Sequence, residues 1–376
     1  MIGRSRTFCT IFPNYRDFHF YKDPGQIPYR LTKLGYDASV VCYQGEDELA
    51  VTVKHLKVVR IADSFINRWF NSGFAGYLVR NAGKIDILNV YHYSWPSLFF
   101  AFIYKIFNRR GFVYLKLDHS AFVSKLQVTE SNKKSYLPDI GGPGLRGKVK
   151  RYITGRIFAW QIDLWSVEDQ LSKELLETGY DFLRGRIITV FNGHSSDLQG
   201  PDTFCDPALK EDIFLTSGRL GTFQKATEVL LNAFRLVAKQ VGWTLHLAGP
   251  VEPSFMDFLE SFFQDNPLLA DRVKVHGQLG REELNGLYCR SSVLCMPSRF
   301  EGFALVFPEA MYYGNAIITT SNTSLKPLTE KYKFGLIVER DDPKALAEAM
   351  IRLADDRELL KEMSANARKI ASSHLS

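Results

Sequence analysis

Short apolar runs of strand length alternate with segments of helical periodicity along almost the whole chain, and this alternation restricts the possible folds more than any other feature. It predicts parallel sheets with helices on both faces. The polar stretch 192–211, which contains Gly and Pro, separates two such series and is typical of a linker. We therefore predict an α/β protein with two doubly wound, Rossmann-like domains, residues 1–195 and 205–376, facing a central cleft.

The individual elements can be placed by their apolar runs and helical periodicity. In the first series we predict strands near 6–12, 39–43, 85–91, 112–117, 162–167 and 187–191, with helices between them that include 24–34, 96–107 and 170–178. In the second series we predict strands at 213–217, 243–248, 273–276, 293–296, 316–320 and 335–338, and helices over 224–239, 253–263, 281–289, 343–354 and 356–372, with one more after Leu305.

The segment 298–311 contains two carboxylates, Glu301 and Glu309, with seven residues between them. A helix that begins near Leu305 places Pro308 in its first turn, where a missing N–H has no cost. The N–H groups of residues 303–306 then point between the two carboxylates, which predicts an anion site with an acid on each side. That layout suits a nucleotide sugar. Taken alone, two such glutamates are more often solvated or capping charges.

A second segment, 217–225, follows a predicted strand and contains Gly218, Arg219 and Lys225. Glycine lets the backbone turn sharply, so both cations are expected on one rim of the sheet. Arg offers a forked set of donors and Lys a mobile point charge, which are complementary means of holding a diphosphate. A single basic residue here would be an ordinary surface charge, but the combination with the glutamate segment indicates a site.

Together the two segments resemble glycosyltransferase family 4, the retaining enzymes of the GT-B fold, of the type that builds bacterial polysaccharides and glycolipids. The resemblance extends over most of residues 213–372. Further landmarks occur in the family's order: Leu247-Ala248-Gly249-Pro250, Val275-His276-Gly277, Cys295-Met296-Pro297-Ser298, Ala310-Met311 with Gly314, and Ser321-Asn322, while Phe191-Asn192-Gly193 is similar to the turn that enters the second domain.

The resemblance implies transfer of a sugar, with retention of anomeric configuration, from a nucleotide sugar such as a UDP- or GDP-sugar to a hydroxyl of a glycan or lipid-linked acceptor. Arg219 and Lys225, with Gly218, would hold the donor diphosphate without a metal or other cofactor. Glu309 would accept from the ribose hydroxyls. Glu301 would contact the transferred sugar, with the backbone of Phe303, Ala304 and Leu305 nearby.

The first domain matches the family less well, because the loop 12–25 lacks the usual glycine pair. His92 ends a predicted strand at a position where the family usually has histidine. Lys116 and Asp118 lie on one side of another strand end, because side chains alternate along a strand. By resemblance we expect Asp118 to orient or deprotonate the acceptor hydroxyl, with His119 as the second choice, and His92 and Lys116 to lie on the acceptor side.

Charge and cysteine usage bear on partners and compartment. Residues 1–195 contain 27 Lys and Arg against 17 Asp and Glu, a net charge of +10, whereas the remainder is at −4. This excess suits an anionic membrane surface or a phosphate-bearing acceptor, or is a scattered solvated charge; we predict no nucleic-acid partner. The five cysteines lack a metal-ligand spacing and indicate buried thiols in a reducing compartment. We expect a cytoplasmic protein that can associate with the inner face of the membrane.

Two alternatives and one ambiguity stay open at this point. A nucleotide-sugar epimerase on the same fold would need no separate acceptor, and a decayed sugar-nucleotide-binding module would lack turnover. A dehydrogenase is disfavoured because no G-x-G-x-x-G follows the first strand or the strand ending at Ser217. The aromatic residues between 65 and 77, with Arg68 and Arg80, fit either an interfacial helix or a helix that faces the core.

Overall fold

The structure is a computed structural model, which describes residues 5–44, 56–62, 72–117, 157, 160–193 and 205–375. The chain divides into two compact units, Met1–Val190 (unit 1) and Phe191–Ser376 (unit 2). Each unit contains one parallel sheet with helices packed on it. The α/β fold with two doubly wound sheets is therefore confirmed.

Unit 1 is built on a seven-stranded parallel sheet of order β3-β2-β1-β4-β5-β6-β7. The strands are β1 Thr7–Ile11, β2 Asp37–Tyr43, β3 Lys57–Ile61, β4 Ile87–Tyr91, β5 Phe112–Lys116, β6 Leu164–Val167 and β7 Ile187–Thr189. The helices among the described residues are α1 Asp23–Lys33, α2 Ser72–Asn81, α3 Trp95–Phe107 and α4 Gln170–Gly179. All strand positions agree with the predicted ones to within a few residues, except that β3 was not predicted.

The core of unit 1 lies between the sheet and its helices, because the central strands are buried on both faces. Leu88 and Val90 of β4 pack in one cluster with Leu115 of β5 and with Phe74 and Leu78 of α2, and all five are fully buried. This burial favours the core-facing interpretation of the aromatic segment 65–77 over the interfacial one. Residues 65–70 of that segment lie outside the described residues.

Unit 2 has a six-stranded parallel sheet of order β10-β9-β8-β11-β12-β13. The strands are β8 Glu211–Ser217, β9 Thr244–Ala248, β10 Val273–Gly277, β11 Ser291–Met296, β12 Ala316–Thr320 and β13 Gly335–Val338. The helices are α5 Thr227–Val237, α6 Met256–Asp265, α7 Arg281–Arg290, α8 Val306–Tyr312, α9 Lys326–Tyr332, α10 Pro343–Asp355 and α11 Arg357–His374. The sequence did not predict α9, and it started α5 three residues early.

The late start of α5 has a local cause. The backbone N–H groups of Lys225 and Ala226 both bond to the carbonyl oxygen of Thr222, which closes a turn before the helix. Ala226 then adopts a left-handed conformation with φ of 50°, so the helix can begin only at Thr227. Lys225 consequently lies in a loop at the end of the sheet, and not on a helix surface.

Cysteine chemistry departs from the expectation of five free thiols. Cys205 and Cys289 form a disulfide between the start of unit 2 and the last turn of α7, with their Cα atoms 5.6 Å apart. Cys9, Cys42 and Cys295 are free and buried, and burial raises the pKa of the Cys9 thiol to about 11. The pairing joins residues 84 positions apart, and only tertiary structure brings them together.

Membrane-spanning helices were sought among the described residues. None of the helices there combines the length and the apolar character that crossing a bilayer requires.

Candidate functional site

The candidate site lies at the carboxyl edge of the unit 2 sheet, where the order of strands reverses. β8 and β11 are hydrogen-bonded neighbours in the middle of the sheet, and their following helices are α5 and α8. Ligands of doubly wound sheets bind in the crevice at such a reversal. The loop 218–226 leaves β8 at this point, and the loop 297–305 leaves β11 beside it.

Two glycines permit the close packing of this edge. Gly218 has φ of 147° and Gly249 has φ of 135°, conformations that other residues rarely adopt. A Cβ added to Gly249 would overlap the carbonyl oxygen of Gly218, and one added to Gly218 would stand 3.3 Å from the Cε of Lys225. Glycine at position 218 therefore leaves room for the Lys225 side chain to lie across the end of β8.

Glu301 is held by three side chains. Its Oε2 accepts from the Lys225 ammonium at 2.6 Å and from the Ser298 hydroxyl at 3.2 Å, and its Oε1 accepts from the Gln224 amide at 3.1 Å. Glu301 and Ser298 are buried, and the side chain of Lys225 is 15% exposed. The two loops thus meet in a hydrogen-bonded ion pair at the reversal point, a contact that the sequence analysis did not predict.

The backbone around Glu301 is also fixed. Its N–H donates to the carbonyl oxygen of Asn322 at 3.1 Å, and its own carbonyl oxygen accepts from the N–H of Ser324. Arg299 ties the same loop to α5 and to the turn that follows β13, since its guanidinium pairs with Glu228 and Asp341. The Glu301 carboxylate therefore has little freedom to move independently of the sheet.

Glu309 lies in α8 and makes a second, separate cluster. Its Oε1 accepts from Arg281 at 2.7 Å and its Oε2 accepts from the Tyr288 hydroxyl at 3.2 Å. Burial, followed by the neighbouring Glu309 carboxylate, raises the pKa of Tyr288 well above its usual value, so the phenol stays protonated. Tyr288 also bonds to the Ser217 side chain. The Glu309 cluster consequently reaches the end of β8, next to Gly218.

The remaining predicted donor residues have different environments. Arg219 is exposed, and its guanidinium approaches the Gln224 side chain at 3.5 Å. Phe303 is buried in the core, and its carbonyl oxygen accepts from the Asn192 amide at 2.6 Å. Ala304 and Leu305 lead into α8, which has only seven residues. A helix this short offers a weaker N-terminal dipole than the sequence analysis assumed. The evidence for an anion site therefore rests mainly on the cations Arg219 and Lys225.

In unit 1 the described candidates do not assemble in the same way. The ammonium of Lys116 lies 2.9 Å from Asp23 and 3.4 Å from Glu168, and its side chain is 2% exposed. Desolvation opposes its charge, but the two carboxylates, Asp23 first, raise its pKa above the usual value. Lys116 therefore carries a permanent charge that is already paired. Asp118 and His119 lie outside the described residues.

His92 is exposed at the end of β4. Its φ of 60° is unusual for a residue other than glycine, and its backbone N–H donates to the carbonyl oxygen of Lys116. Positive φ at a strand end is found at functional positions more often than elsewhere. Nearby, Tyr91 is buried and its hydroxyl lacks a hydrogen-bond partner among the described residues.

Sequence reasoning missed four side chains of the unit 2 site: Gln224, Arg281, Tyr288 and Ser298. Gln224 and Ser298 lie within the two segments already described, 217–225 and 298–311. Their positions next to Lys225 and near Glu301 in sequence could have identified them. Arg281 and Tyr288 lie on α7, and only the packing of α7 beside α8 reveals their contact with Glu309. Over the part of the chain that the structure describes, no three His, Cys, Asp or Glu side chains come together as a metal-ligand set.

Part of unit 2 is similar in sequence to known glycosyltransferases. Residues 211–356 match the family model described as glycosyl transferases group 1. Over 99 residues the chain is 35% identical to a D-inositol 3-phosphate glycosyltransferase of Streptomyces griseus, an alignment that covers 26% of this chain and 21% of that protein. The chain spans between about a fifth and a half of the length of the first curated relatives it matches.

Solved structures share the fold at low sequence identity. A glycosyltransferase from Rickettsia africae matches with a TM-score of 0.73 and 14% identity, over 100% of this chain and 95% of that one. The Anabaena protein HepE, solved in complex with UDP and glucose, matches with a TM-score of 0.66 and 14% identity, over 99% and 96%. These likenesses establish the GT-B fold for the whole chain.

Proposed function

We propose that the protein transfers a sugar from a nucleotide-sugar donor to a hydroxyl of a glycan or lipid-linked acceptor, with retention of anomeric configuration; the match of residues 211–356 to the glycosyl transferases group 1 model supports this class of reaction. The observation that carries the proposal is the buried Glu301 held by Lys225 at 2.6 Å, at the reversal point of the unit 2 sheet. A nucleotide sugar such as a UDP- or GDP-sugar is the donor. HepE was solved with UDP and glucose, which supports this class of ligand.

The donor diphosphate is bound by Lys225 and Arg219, above the backbone of Gly218. A lysine ammonium is a compact charge on a flexible stem, so Lys225 can reach a phosphate oxygen while remaining near Glu301. The exposed Arg219 supplies forked donors from the other side of the same loop. As the bond to the sugar breaks, negative charge grows on the departing diphosphate, and fixed cations stabilise that charge more than they stabilise the bound ground state.

Glu301 acts on the transferred sugar. A carboxylate accepts hydrogen bonds from sugar hydroxyls, and its two oxygens offer about four acceptor sites. Three of these are occupied by Lys225, Gln224 and Ser298, which fixes the orientation of the group. We assign Glu301 the role of positioning the sugar and stabilising positive charge at the reacting carbon, with attack on the same face from which the diphosphate leaves.

Glu309 binds the ribose of the donor. Each of its oxygens has one partner within the protein, Arg281 or Tyr288, and each retains capacity for one more hydrogen bond. Adjacent ribose hydroxyls can supply those two bonds. The Arg281 guanidinium pairs with one of these oxygens at 2.7 Å and holds the carboxylate in place.

Independence of a divalent metal is part of the proposal. Lys225 and Arg219 supply positive charge where a metal would otherwise neutralise the diphosphate. On the acceptor side the proposal retains Asp118 as the base, with His119 as the second choice and His92 as a contact. Lys116 is better suited to a structural role, because its charge is already shared between Asp23 and Glu168.

The test is a panel of UDP-, GDP- and ADP-sugars, each measured for thermal stabilisation of the protein and for slow hydrolysis, with and without EDTA. At least one sugar nucleotide should raise Tm in the presence of EDTA. Lys225→Ala should weaken nucleotide affinity by on the order of 100-fold, as expected for loss of a charge-assisted contact. Lys239→Ala, at an exposed lysine of the same unit, is the matched control and should bind like the parent protein.

Three outcomes would count against the proposal in different ways. Stabilisation by none of the sugar nucleotides would remove the donor assignment. Unchanged affinity in Lys225→Ala would remove the phosphate assignment alone. Binding followed by conversion of the sugar without an acceptor would identify an epimerase, and binding without any turnover would identify a binding module.

A further inference from the structure

One face of α3 exposes large apolar side chains that nothing in the described part of unit 1 covers. Trp95, Phe99, Phe102 and Ile106 are between 39% and 72% exposed. At 100° per residue the four lie within about 60° of one another around the helix axis, so they form one continuous stripe along about 20 Å of helix. We call this stripe the α3 apolar face.

The stripe is not a consequence of loose packing. The opposite side of α3 is buried: Leu98, Ala101 and Tyr104 pack in the core of unit 1, and the Tyr104 hydroxyl donates to the carbonyl oxygen of Ile85 at 2.7 Å. The helix also has a defined start, because the side chain of Ser94 accepts from the N–H of Ser97. α3 is therefore a fixed helix that is apolar on both of its faces, and among the described residues of unit 1 only the inner face has a packing partner.

The charged residues on α3 and directly after it are all basic. α3 contains no acidic residue, and its single lysine, Lys105, is buried and paired with Asp163 at 2.6 Å. Directly after the helix, Arg109 and Arg110 are both exposed, and between 107 and 112 two further exposed aromatics, Phe107 and Phe112, flank them. An apolar stripe with cations at its end has the chemistry of a surface that enters the headgroup region of an anionic bilayer.

We propose that the α3 apolar face docks this protein on an anionic lipid bilayer, with α3 lying in the plane of the interface. The stripe enters the boundary between headgroups and acyl chains, with the Trp95 indole at the level of the headgroups. Arg109 and Arg110 bind lipid phosphates beside it. The predicted membrane contact of the basic first domain thus acquires a specific surface, on α3 and not on the aromatic segment 65–77, whose Phe74 is buried in the core.

The area of the face argues for a bilayer against a second copy of this chain. A fully exposed aromatic side chain offers about 150–250 Å², so the four residues of the face, with Phe107 and Phe112 beside them, together expose on the order of 500 Å². That area is at the upper end of the largest apolar patch on a typical monomer, about 300–600 Å². It is less than the about 800 Å² per partner that a stable protein interface buries. A bilayer has no such minimum, because each inserted aromatic contributes separately.

The docking does not require the transferase chemistry, although it rests on the proposed function for its purpose: it would bring the protein to a lipid-linked acceptor. Nucleotide binding is a property of unit 2, so it serves as an internal check of folding. A parent protein that binds nucleotide but not lipid would contradict this inference alone. A parent protein that binds lipid but no sugar nucleotide would contradict the proposed function alone.

The experiment measures partition of the full chain onto vesicles by flotation, with phosphatidylcholine vesicles containing about 30% phosphatidylglycerol against pure phosphatidylcholine. The parent protein should bind the anionic vesicles, and binding should fall as salt is raised. Phe99→Ser with Phe102→Ser should lower the partition coefficient at least tenfold. Arg109→Ala with Arg110→Ala should lower it about tenfold on anionic vesicles. The matched control is Leu34→Ser, at a residue of unit 1 that is 74% exposed outside the α3 apolar face, and it should bind like the parent.

A second readout uses Trp95 itself. The emission of the parent protein should shift to shorter wavelength when anionic vesicles are added, and Trp95→Phe should abolish most of that shift. Equal vesicle binding by the parent and the Phe99/Phe102 double variant would overturn the proposal, as would absence of binding by the parent. A dimer at micromolar concentration that the same double variant dissociates, without vesicle binding, would overturn it in favour of self-association.

Discussion

The two units share a sheet topology but differ in how they place charge at the carboxyl edge. The central order is β2-β1-β4-β5 in unit 1 and β9-β8-β11-β12 in unit 2. In unit 2 the edge carries the Lys225–Glu301 pair, with the lysine side chain 15% exposed. In unit 1 Lys116 lies between Asp23 and Glu168 with 2% of its side chain exposed. The same fold therefore leaves one lysine partly accessible in a loop and encloses the other between two elements.

The difference follows from where each lysine is attached. Lys225 stands in a loop after Gly218 and Gly221, so the ammonium has room at the end of the strand. Lys116 is the last residue of β5, and its ammonium joins the N-terminus of α1 to the residue after β6. If the Lys225 ammonium turns toward a phosphate, the Glu301 carboxylate keeps its hydrogen bonds from Gln224 and Ser298. If Lys116 moves away, two partly buried carboxylates, Asp23 and Glu168, lose their shared counter-charge.

The largest effect is expected in unit 2, on the turnover of a Glu301 variant. Glu301→Gln keeps the shape of the side chain but removes its charge, so we expect turnover to fall by about 10²–10³-fold, the range found when a group that stabilises a transition state is lost. Affinity for the donor should change by less than about tenfold, because Lys225 remains to bind phosphate. Steady-state kinetics with the donor identified by the panel measures both quantities.

The control for this substitution is Glu348→Gln, at an exposed glutamate of α10 in the same unit. Its turnover should match that of the parent. Full activity of Glu301→Gln would mean that the ion pair at the reversal point is structural, as in unit 1, and the contrast between the units would disappear.

The next effect tests unit 1. Lys116→Met should lower the free energy of unfolding by about 3 kcal/mol, because two partly buried carboxylates lose their counter-charge. Lys57→Met, at an exposed lysine of β3, should have little effect. Donor affinity should be unchanged in both variants. Chemical denaturation together with nucleotide titration distinguishes a structural Lys116 from one that contacts substrate.

The pH dependence of Lys116→Met provides a further check. Without the ammonium, Asp23 and Glu168 are two like charges that no longer share a cation. The deficit in stability is then present at neutral pH and shrinks as pH falls and the carboxylates bind protons. A deficit that stays constant from pH 7 to pH 4 would point to lost packing and not to lost charge.

The sequence predicted most of the sheet because buried parallel strands appear as apolar runs. It missed β3 for a physical reason: this edge strand is only half-buried, and Lys57 and Arg60 interrupt its valines. It missed α9 because the helix has seven residues and starts at Lys326-Pro327, too short for a periodic pattern. Elements whose burial is incomplete leave weak signals, whatever their place in the fold.

The same distinction applies to the site. Gly218, Lys225 and Glu301 could be predicted because each follows a strand, and strand ends meet at one edge. Arg281 could not, because its contact with Glu309 depends on how two helices pack. The paired state of Lys116 was equally hidden, since its partners lie elsewhere in the chain. Sequence indicates which residues reach an edge, whereas tertiary packing decides whether their charges are free to bind a ligand.

A smaller effect, on donor binding, is expected from a substitution of Glu309. Glu309→Gln should weaken donor binding by about tenfold, the cost of replacing charge-assisted hydrogen bonds to the ribose with neutral ones. Turnover at saturating donor should stay within about threefold of that of the parent, because the proposal places Glu309 at the ribose and not at the reacting carbon. Isothermal titration with the nucleotide and with its 2′-deoxy analogue measures the effect. If removal of the 2′-hydroxyl weakens binding by the same factor in the parent and in Glu309→Gln, contact between Glu309 and that hydroxyl is excluded.

The smallest expected effect concerns the stability of unit 2 in mild acid. His246 on β9 and His276 on β10 stand with their ring nitrogens 3.1 Å apart, and burial, helped by His276, lowers the pKa of His246 to about 4. The unfolded chain binds a proton there near pH 6.5, so folding loses stability as pH falls from about 6.5 toward 4. We expect a loss on the order of 1 kcal/mol between pH 6.5 and pH 5 after allowing for solvent screening. His246→Gln should flatten this part of the profile in urea unfolding, whereas His92→Gln, at an exposed histidine of unit 1, should leave it unchanged. Equal slopes in all three proteins would show that acid sensitivity does not distinguish the two units.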